Sequence, residues 1–243
     1  MQVNSIIWVG RLGNNIQQIC NAILFSEKHN QGFRSPHHPL IKEINYNNEN
    51  QPPNNFEPFF TLEDSEKIHQ TAKQYITPNL NLEIGEPFDN DTLVIHIRSG
   101  DIFYPQFCPN NYVPNPLSYY LQLIQQFKKT IVVTEPDDYN PVVQELKKNK
   151  IEIYASSVKQ DFEMLLRAKN LASSGIGTFA IAAAMCSPHI ENFYCTNLYH
   201  MVHLNPTMLK NIKIHKTQLK NYFTSFEWTN SDEDRKFILE YNL

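Results

Sequence analysis

Apolar positions follow two rhythms along this chain. Short runs bounded by turn residues, the signature of buried strands, occur at residues 5–9 (SIIWV), Thr92–Ile97 (TLVIHI), Thr130–Thr134 (TIVVT) and Ile151–Tyr154, with a last one at Phe193–Tyr194. Between them the spacing turns helical. Ile16, Ile19, Cys20, Ile23 and Leu24 share one face of IQQICNAILFSEKH. Pro116 opens LSYYLQLIQQFKK, and VVQELKKN, Asp161–Ala172 and the small-residue stretch AIAAAM read the same way. Residues 61–76 are weakly helical, and the tail from Lys210 is mixed. Residues 30–60, rich in Asn and Pro, show no period and read as loop with at most short strands. Alternation of strand and helix from 92 to 195 predicts a parallel sheet with helices on both faces. The first strand, glycine loop and helix open a second α/β unit, so the spacing divides the chain into a smaller lobe, 1–90, and a larger one, 91–243.

Composition narrows the function classes. The 243 residues carry 21 basic and 25 acidic side chains, a net charge of −4, which provides no general basic field for nucleic acid. No run of ~18 apolar residues is present, so no membrane span is expected. The start, MQVNSIIWVG, lacks the basic and long apolar regions of a secretory signal. Cys20, Cys108, Cys186 and Cys195 show no CxxC pairing, which argues against a zinc cage or disulfide framework and for a reducing, cytoplasmic setting.

Glycine is scarce: seven residues, where ~7% of a chain is usual. Five of the seven fall in three short segments, a placement that points to close approach of backbone to a ligand. In VIHIRSGD, Arg98 sits at a strand's carboxyl end, where ligands bind in open parallel sheets. Strand alternation puts His96 and Arg98 on one face. A guanidinium there can clamp phosphate bidentately; equally, Arg98 and Asp101 can form a surface pair beside a core His96. In GRLGNNIQ, Gly10, Arg11, Gly13 and Asn14 lead into a helix start that suits an anion or is simply a tight turn. In SSGIGTF, Ser173, Ser174, Gly177, Thr178 and Phe179 offer hydroxyls and free N–H groups to a diphosphate, or cap the helix that follows.

Other groups point elsewhere. Glu135, Asp137 and Asp138 form an acidic, proline-containing turn that reads as a solvated loop, and Asp232-Glu233-Asp234, though of D-x-D spacing, reads as a solvated charge run. His37 and His38 adjoin prolines in a loop, while His200 and His203 fit one helical face; none has ligand spacing, and no metal is assigned. The dinucleotide, P-loop and α/β-hydrolase fingerprints are absent.

Taken in order, GRLGNNIQQ, HIRSGD and SSGIGTFAIAAAM resemble the fucosyltransferase superfamily. The nearest likeness is to bacterial α-1,2-fucosyltransferases, with a more distant one to α-1,6- and protein O-fucosyltransferases. Those enzymes carry a G-R-L-G-N-Q loop, an H-x-R-x-G-D segment and an S-T-F-S-like turn. The resemblance implies a GT-B-like fold of two Rossmann-like lobes with a reduced N-terminal lobe, acceptor-side in 1–90 and donor-binding in 91–243. It implies metal-independent, inverting transfer of fucose from GDP-fucose to a glycan acceptor, with no cofactor beyond the donor itself. Arg98 would neutralise the leaving β-phosphate, Thr178 and its neighbours would cradle it, and Asp101, then His96, would take the acceptor proton. The chain departs from the pattern at Asn15 (Gln in the family), at Ser99 (a second Arg) and at Ala180 (Ser after the aromatic). UDP-xylose, GDP-rhamnose or a non-catalytic nucleotide- or glycan-binding role stay open on the same scaffold.

Overall fold

A computed structural model describes residues 2–47, 51–104 and 112–243; Cys108 and most of the loop after Asp101 lie outside them. Two sheets form. The first contains β1 (Val3–Ile6), β2 (Gly32–Arg34), β3 (Asn45–Tyr46) and β4 (Asn55–Glu57) in the order β3-β2-β1-β4, with β1 parallel to β2 and β4. Helix α1 (Leu12–Lys28) makes the crossover from β1 to β2. A short helix, α2 (Ile68–Thr71), widens into a π-helical turn over Ala72–Ile76 before the second sheet begins.

That second sheet is wholly parallel and contains β5 (Thr92–Ile97), β6 (Lys129–Thr134), β7 (Glu152–Tyr154), β8 (Asn170–Ala172), β9 (Asn192–Thr196) and β10 (Lys213–Thr217). Its order, β10-β9-β8-β5-β6-β7, reverses direction between β5 and β8. This is the strand order of the Rossmann fold, and such a reversal opens a crevice at the carboxyl ends of the two strands. Helices α3 (Leu117–Ile124), α4 (Pro141–Lys148), α5 (Val158–Leu166), α6 (Phe179–Cys186) and α7 (Asp232–Glu240) complete the lobe. The fold is therefore α/β and GT-B-like, two Rossmann-like lobes of which the N-terminal one is reduced to four strands.

Period-two alternation sorts β5 between two cores. Leu93, Ile95 and Ile97 enter a cluster with Tyr119, Tyr120 and Trp228, while Val94 faces the cluster of α1, α5 and α6. Helix α6 is apolar around its circumference because it is covered around its circumference; Ala180–Cys186 are all buried. Its alanines let Ile16, Ile19 and Ile23 of α1 pack close, so one core runs through both lobes.

Several expected elements differ. The first strand is Val3–Ile6 rather than residues 5–9, and Ile7 is 52% exposed. Its inner positions are partly polar: Asn4 is buried because its amide donates to Ser26 Oγ and Gln31 Oε1, both at 2.9 Å. The expected helix at Asp161–Ala172 is helix only to Leu166, and its last three residues are β8. That three-residue strand is held in mid-sheet by neighbours on both sides, and Asn170 donates to the Asn90 and Thr92 carbonyls at 2.8 and 3.1 Å. Strand β10, KIHKT, shows no apolar run because it is an edge strand, where lysines guard against further pairing. Among the described residues no helix is long and apolar enough to cross a membrane.

Candidate functional site

Two helix starts and the end of β5 converge on one cavity of about 510 Å³ between the lobes. Helix α1 begins at Leu12 and α6 at Phe179; neither has a side-chain cap or an acidic residue in its first turn. In contrast, Asn140, Ser157 and Ser231 cap α4, α5 and α7. Unsatisfied N–H groups and the positive ends of two helix dipoles thus face the same space, the arrangement that binds anions. The helix starts can meet only because residue 13 is glycine. A Cβ there would lie 2.5 Å from Thr178 Oγ1 and 2.8 Å from the Thr178 carbonyl carbon. Thr178 Oγ1 instead donates to Asn14 Oδ1 at 2.8 Å, tying the two lobes.

Arg98 enters from the carboxyl end of β5, largely buried. Both Asp101 oxygens accept from its Nη2, at 3.0 and 2.9 Å, and its guanidinium carbon sits 3.9 Å from the centre of the Tyr112 ring. Burial works against its charge, but Tyr112 and Asp101 outweigh it, so Arg98 stays cationic. Its Nε is buried with no hydrogen-bond partner among the described residues, as are His96 Nδ1 and Thr134 Oγ1. All three side chains line the cavity. Buried polar atoms are normally paired, so three orphans around one hollow mark a place where a polar ligand would complete the bonding.

Three side chains after β6 hold the turn that carries Arg98 and Asp101. Glu135 accepts from the Ser99 N–H and meets Arg11 Nη1 at 2.6 Å. Asp137 accepts from Ser99 Oγ at 2.5 Å and from Gly100 N at 2.9 Å. Asn140 caps α4 and donates to the Arg98 carbonyl at 2.9 Å. The reading of Glu135, Asp137 and Asp138 as a solvated loop therefore holds only for Asp138, which is exposed and pairs with Lys147 at 2.7 Å. A carboxylate needs no apolar neighbours in sequence to be recruited by N–H groups of an adjacent strand's turn, so composition alone hides the other two.

Of the residues singled out from sequence, Gly10, Arg11, Gly13, Asn14, His96, Arg98, Asp101, Gly177, Thr178 and Phe179 line the cavity. Ser173 and Ser174 do not. They are buried, with Ser173 N donating to the Tyr194 carbonyl and its own carbonyl accepting from Asn115 Nδ2. Gly175 turns the chain away from them at φ +91°, where a Cβ would strike the Val113 carbonyl at 2.6 Å.

The two groups expected to accept a proton are ill suited to do so. Asp101 is committed to Arg98 and also lies 3.4 Å from Arg11 Nη2. Burial, and next the Arg98 charge, push His96 down to about 3, which leaves a neutral but feebly basic imidazole beside Phe179. Asp161 of α5, which sequence inspection passes over, lines the cavity with its carboxyl pushed up to about 6. Burial raises it most, Glu135 adds to the rise, and an N–H from Ser156 at 3.1 Å opposes it. The single signal in the sequence is a lone acid on the apolar face of its helix, next to Phe162.

His200 and His203 lie on a loop rather than on one helical face, because residues 197–205 form turns that Asn205 closes by donating to the His203 carbonyl at 3.0 Å. His38 lines the cavity and packs edge-on against Trp8. Asp232, Glu233 and Asp234 occupy the first turn of α7, where negative charge complements the helix dipole. Among the described residues no three His, Cys, Asp or Glu side chains gather as a metal site.

No family model matches the chain, and no curated protein matches it in sequence. Among solved structures it is similar to POFUT1 in complex with GDP, at 11% identity and a TM-score of 0.45, over 79% of this chain and 97% of that one. POFUT1 in complex with GDP-fucose gives 11% and 0.46 over the same shares, and a further crystal form with GDP gives 10% and 0.47 over 79% and 98%.

Proposed function

We propose that the chain is a metal-independent, inverting glycosyltransferase that takes fucose from GDP-fucose to a glycan acceptor. The observation that carries this reading is the convergence of two uncapped helix starts on Arg98, whose Nε is buried and unpartnered. Departure of a nucleotide diphosphate develops negative charge on phosphate. Fixed donors aimed at that charge lower the barrier without any reorganisation of their own. Asp101 occupies Nη2 and so orients the guanidinium, leaving the Nε–H, which has no partner among the described residues, for a phosphate oxygen. In this reading Gly177, Thr178, Phe179 and the α1 start (Gly10, Arg11, Gly13, Asn14) complete the diphosphate cradle. Residues 91–243 supply the donor side and residues 1–90 the acceptor side.

Asp161 supports guanine over uracil. An ionised carboxylate accepts well from the adjacent N1–H and N2–H₂ donors of guanine. Uracil presents a single N–H between two carbonyl oxygens, which a carboxylate repels. His96 and Phe179 offer the apolar and aromatic wall a base stacks on.

The test is a panel of nucleotide-sugars in EDTA, following release of free nucleotide with and without sugar acceptors. GDP release from GDP-fucose supports the reading. Turnover of UDP-xylose or GDP-rhamnose alone moves the donor and keeps the mechanism. A second reading, a non-catalytic binder, draws on Ser99, whose hydroxyl is bound to Asp137 where the resembling enzymes place a second arginine. Binding of GDP-fucose without release, across acceptors, would select it.

A further inference from the structure

Beside the main cavity lies a chamber of about 20 Å³, which shares Asn14, Tyr112, Gly177 and Thr178 with it. That volume is enough for one water-sized group. His203 lines the chamber but not the main cavity. Its Nδ1 is buried and has no hydrogen-bond partner among the described residues. The ring is well fixed. Gln17 of α1, fully buried, accepts from Leu204 N at 3.0 Å and donates to the Phe60 and Val202 carbonyls at 2.9 and 3.4 Å. Phe60 packs edge-on against the imidazole at 5.9 Å. A preorganised ring with one unused nitrogen, in a chamber that shares four lining residues with a proposed diphosphate cradle, is the geometry of a proton acceptor.

We propose that His203 is the general base, holding in this chamber the hydroxyl that attacks the donor's anomeric carbon; this rests on the assignment of the main cavity to a nucleotide-sugar. The hydroxyl oxygen forms a bond to the anomeric carbon as the bond from that carbon to the diphosphate oxygen breaks, its electron pair leaving with the diphosphate. The hydroxyl proton passes to Nδ1 of a neutral ring protonated on Nε2, and the imidazolium then loses its proton to solvent. The hydroxyl belongs either to a sugar acceptor or to water, and the chemistry is the same. His203 is held below its ordinary value by burial and by His200, so the ring is neutral at pH 7 with its lone pair available. The titratable groups facing it are His200 and Tyr199 of its own loop and Tyr112 across the chamber. Helix α1 brings Asn14 and Gln17 and the neighbouring segment brings Phe60, all uncharged.

The experiment compares wild type, His203→Ala and His203→Gln in two arms: GDP release from GDP-fucose in buffer alone, and transfer to methyl β-galactoside or lactose. GDP affinity by calorimetry and thermal melting are recorded alongside. A loss of ~10²-fold or more in kcat, with GDP affinity within about twofold and partial rescue of His203→Ala by imidazole, supports the proposal. Loss confined to transfer identifies the sugar hydroxyl as the partner, and loss of buffer-only release identifies water. Variants within about threefold of wild type in both arms overturn the base assignment and leave the glycosyltransferase reading standing. So does a loss that tracks GDP affinity and resists imidazole. A wild type that releases no nucleotide from any donor overturns both.

Discussion

Arg11 Nη1 lies 2.6 Å from Glu135 Oε1, joining the entry of α1 in one lobe to the carboxyl end of β6 in the other across the cavity mouth. The arginine side chain is 59% exposed, so water screens the pair and it adds no more than ~1 kcal/mol to stability. Its position matters more. An exposed cation paired with carboxylates can exchange them for an arriving phosphate, whereas the buried Arg98 is held by Asp101 and Tyr112. Arg11→Ala should therefore shift the melting temperature by no more than ~4 °C while weakening GDP-fucose binding about tenfold at low salt. The difference in affinity should shrink toward 1 M salt, where the Debye length is ~3 Å. Calorimetry at two ionic strengths checks both parts, and an unchanged affinity would remove Arg11 from the cradle.

Arg98→Ala should reduce transfer by ~10²–10³-fold or more, as loss of a donor to developing charge does in other enzymes. Arg98→Lys should rescue little, since an ammonium cannot hold Asp101 through one nitrogen and offer another to phosphate. Steady-state kinetics on folded variants measures this. Arg98→Lys at near wild-type kcat would show that a point charge suffices and that the fork geometry is irrelevant.

Gly13→Ala should destabilise the protein by ~1–3 kcal/mol, because the added methyl meets Thr178 Oγ1 at 2.5 Å and Thr178 backbone at 2.8 Å. A fall in melting temperature of roughly 2–4 °C per kcal/mol follows for a chain of this size. Gly13→Ala with Thr178→Gly opens space at the hydroxyl but not at the backbone, so it should recover only part of the loss. Differential scanning fluorimetry of the two variants separates these terms.

Asp161 sets a pH dependence whose sign is fixed by its burial. Its folded value, about 6, lies above the ordinary carboxylate value. The stabilisation of the neutral form is therefore fully present below the unfolded value near 4 and is lost as pH rises through about 6. Asp161→Asn should thus be more stable than wild type at pH 8, with the gain vanishing by pH 4. If the ionised carboxylate receives guanine, GDP-fucose binding should weaken roughly tenfold from pH 7.5 to pH 5, because only about a tenth of Asp161 is ionised one unit below its value. The Asn variant should lose that slope. Equal slopes in the two proteins would place the titration elsewhere.

The main strands and the three glycine segments were readable because they depend on local regularities. Thr92–Ile97 is a short apolar run bounded by turn residues, and β5 has those bounds. Gly10, at φ +79°, and Gly13, pressed against Thr178, mark backbone that requires glycine, and both line the cavity. Where burial was bought with side-chain amides instead of apolar residues, at Asn4 in β1 and Asn170 in β8, the hydrophobic pattern misplaced the element.

What the amino-acid order determined by itself was therefore the parallel α/β organisation, the two lobes, and the placing of Arg98 at a strand's carboxyl end. Those follow from periodicity and from where glycine is required, both properties of neighbouring residues. Which groups are spent and which are free was decided only by the tertiary structure. Asp101 and Glu135 are held by arginines from two lobes, and Asp137 closes a turn 37 residues away in sequence. Asp161 and His203, acid and imidazole with no distinguishing neighbours in the chain, acquire their character from the burial around them. Proton affinity and hydrogen-bond saturation depend on what a side chain meets across the fold, and no local pattern records that.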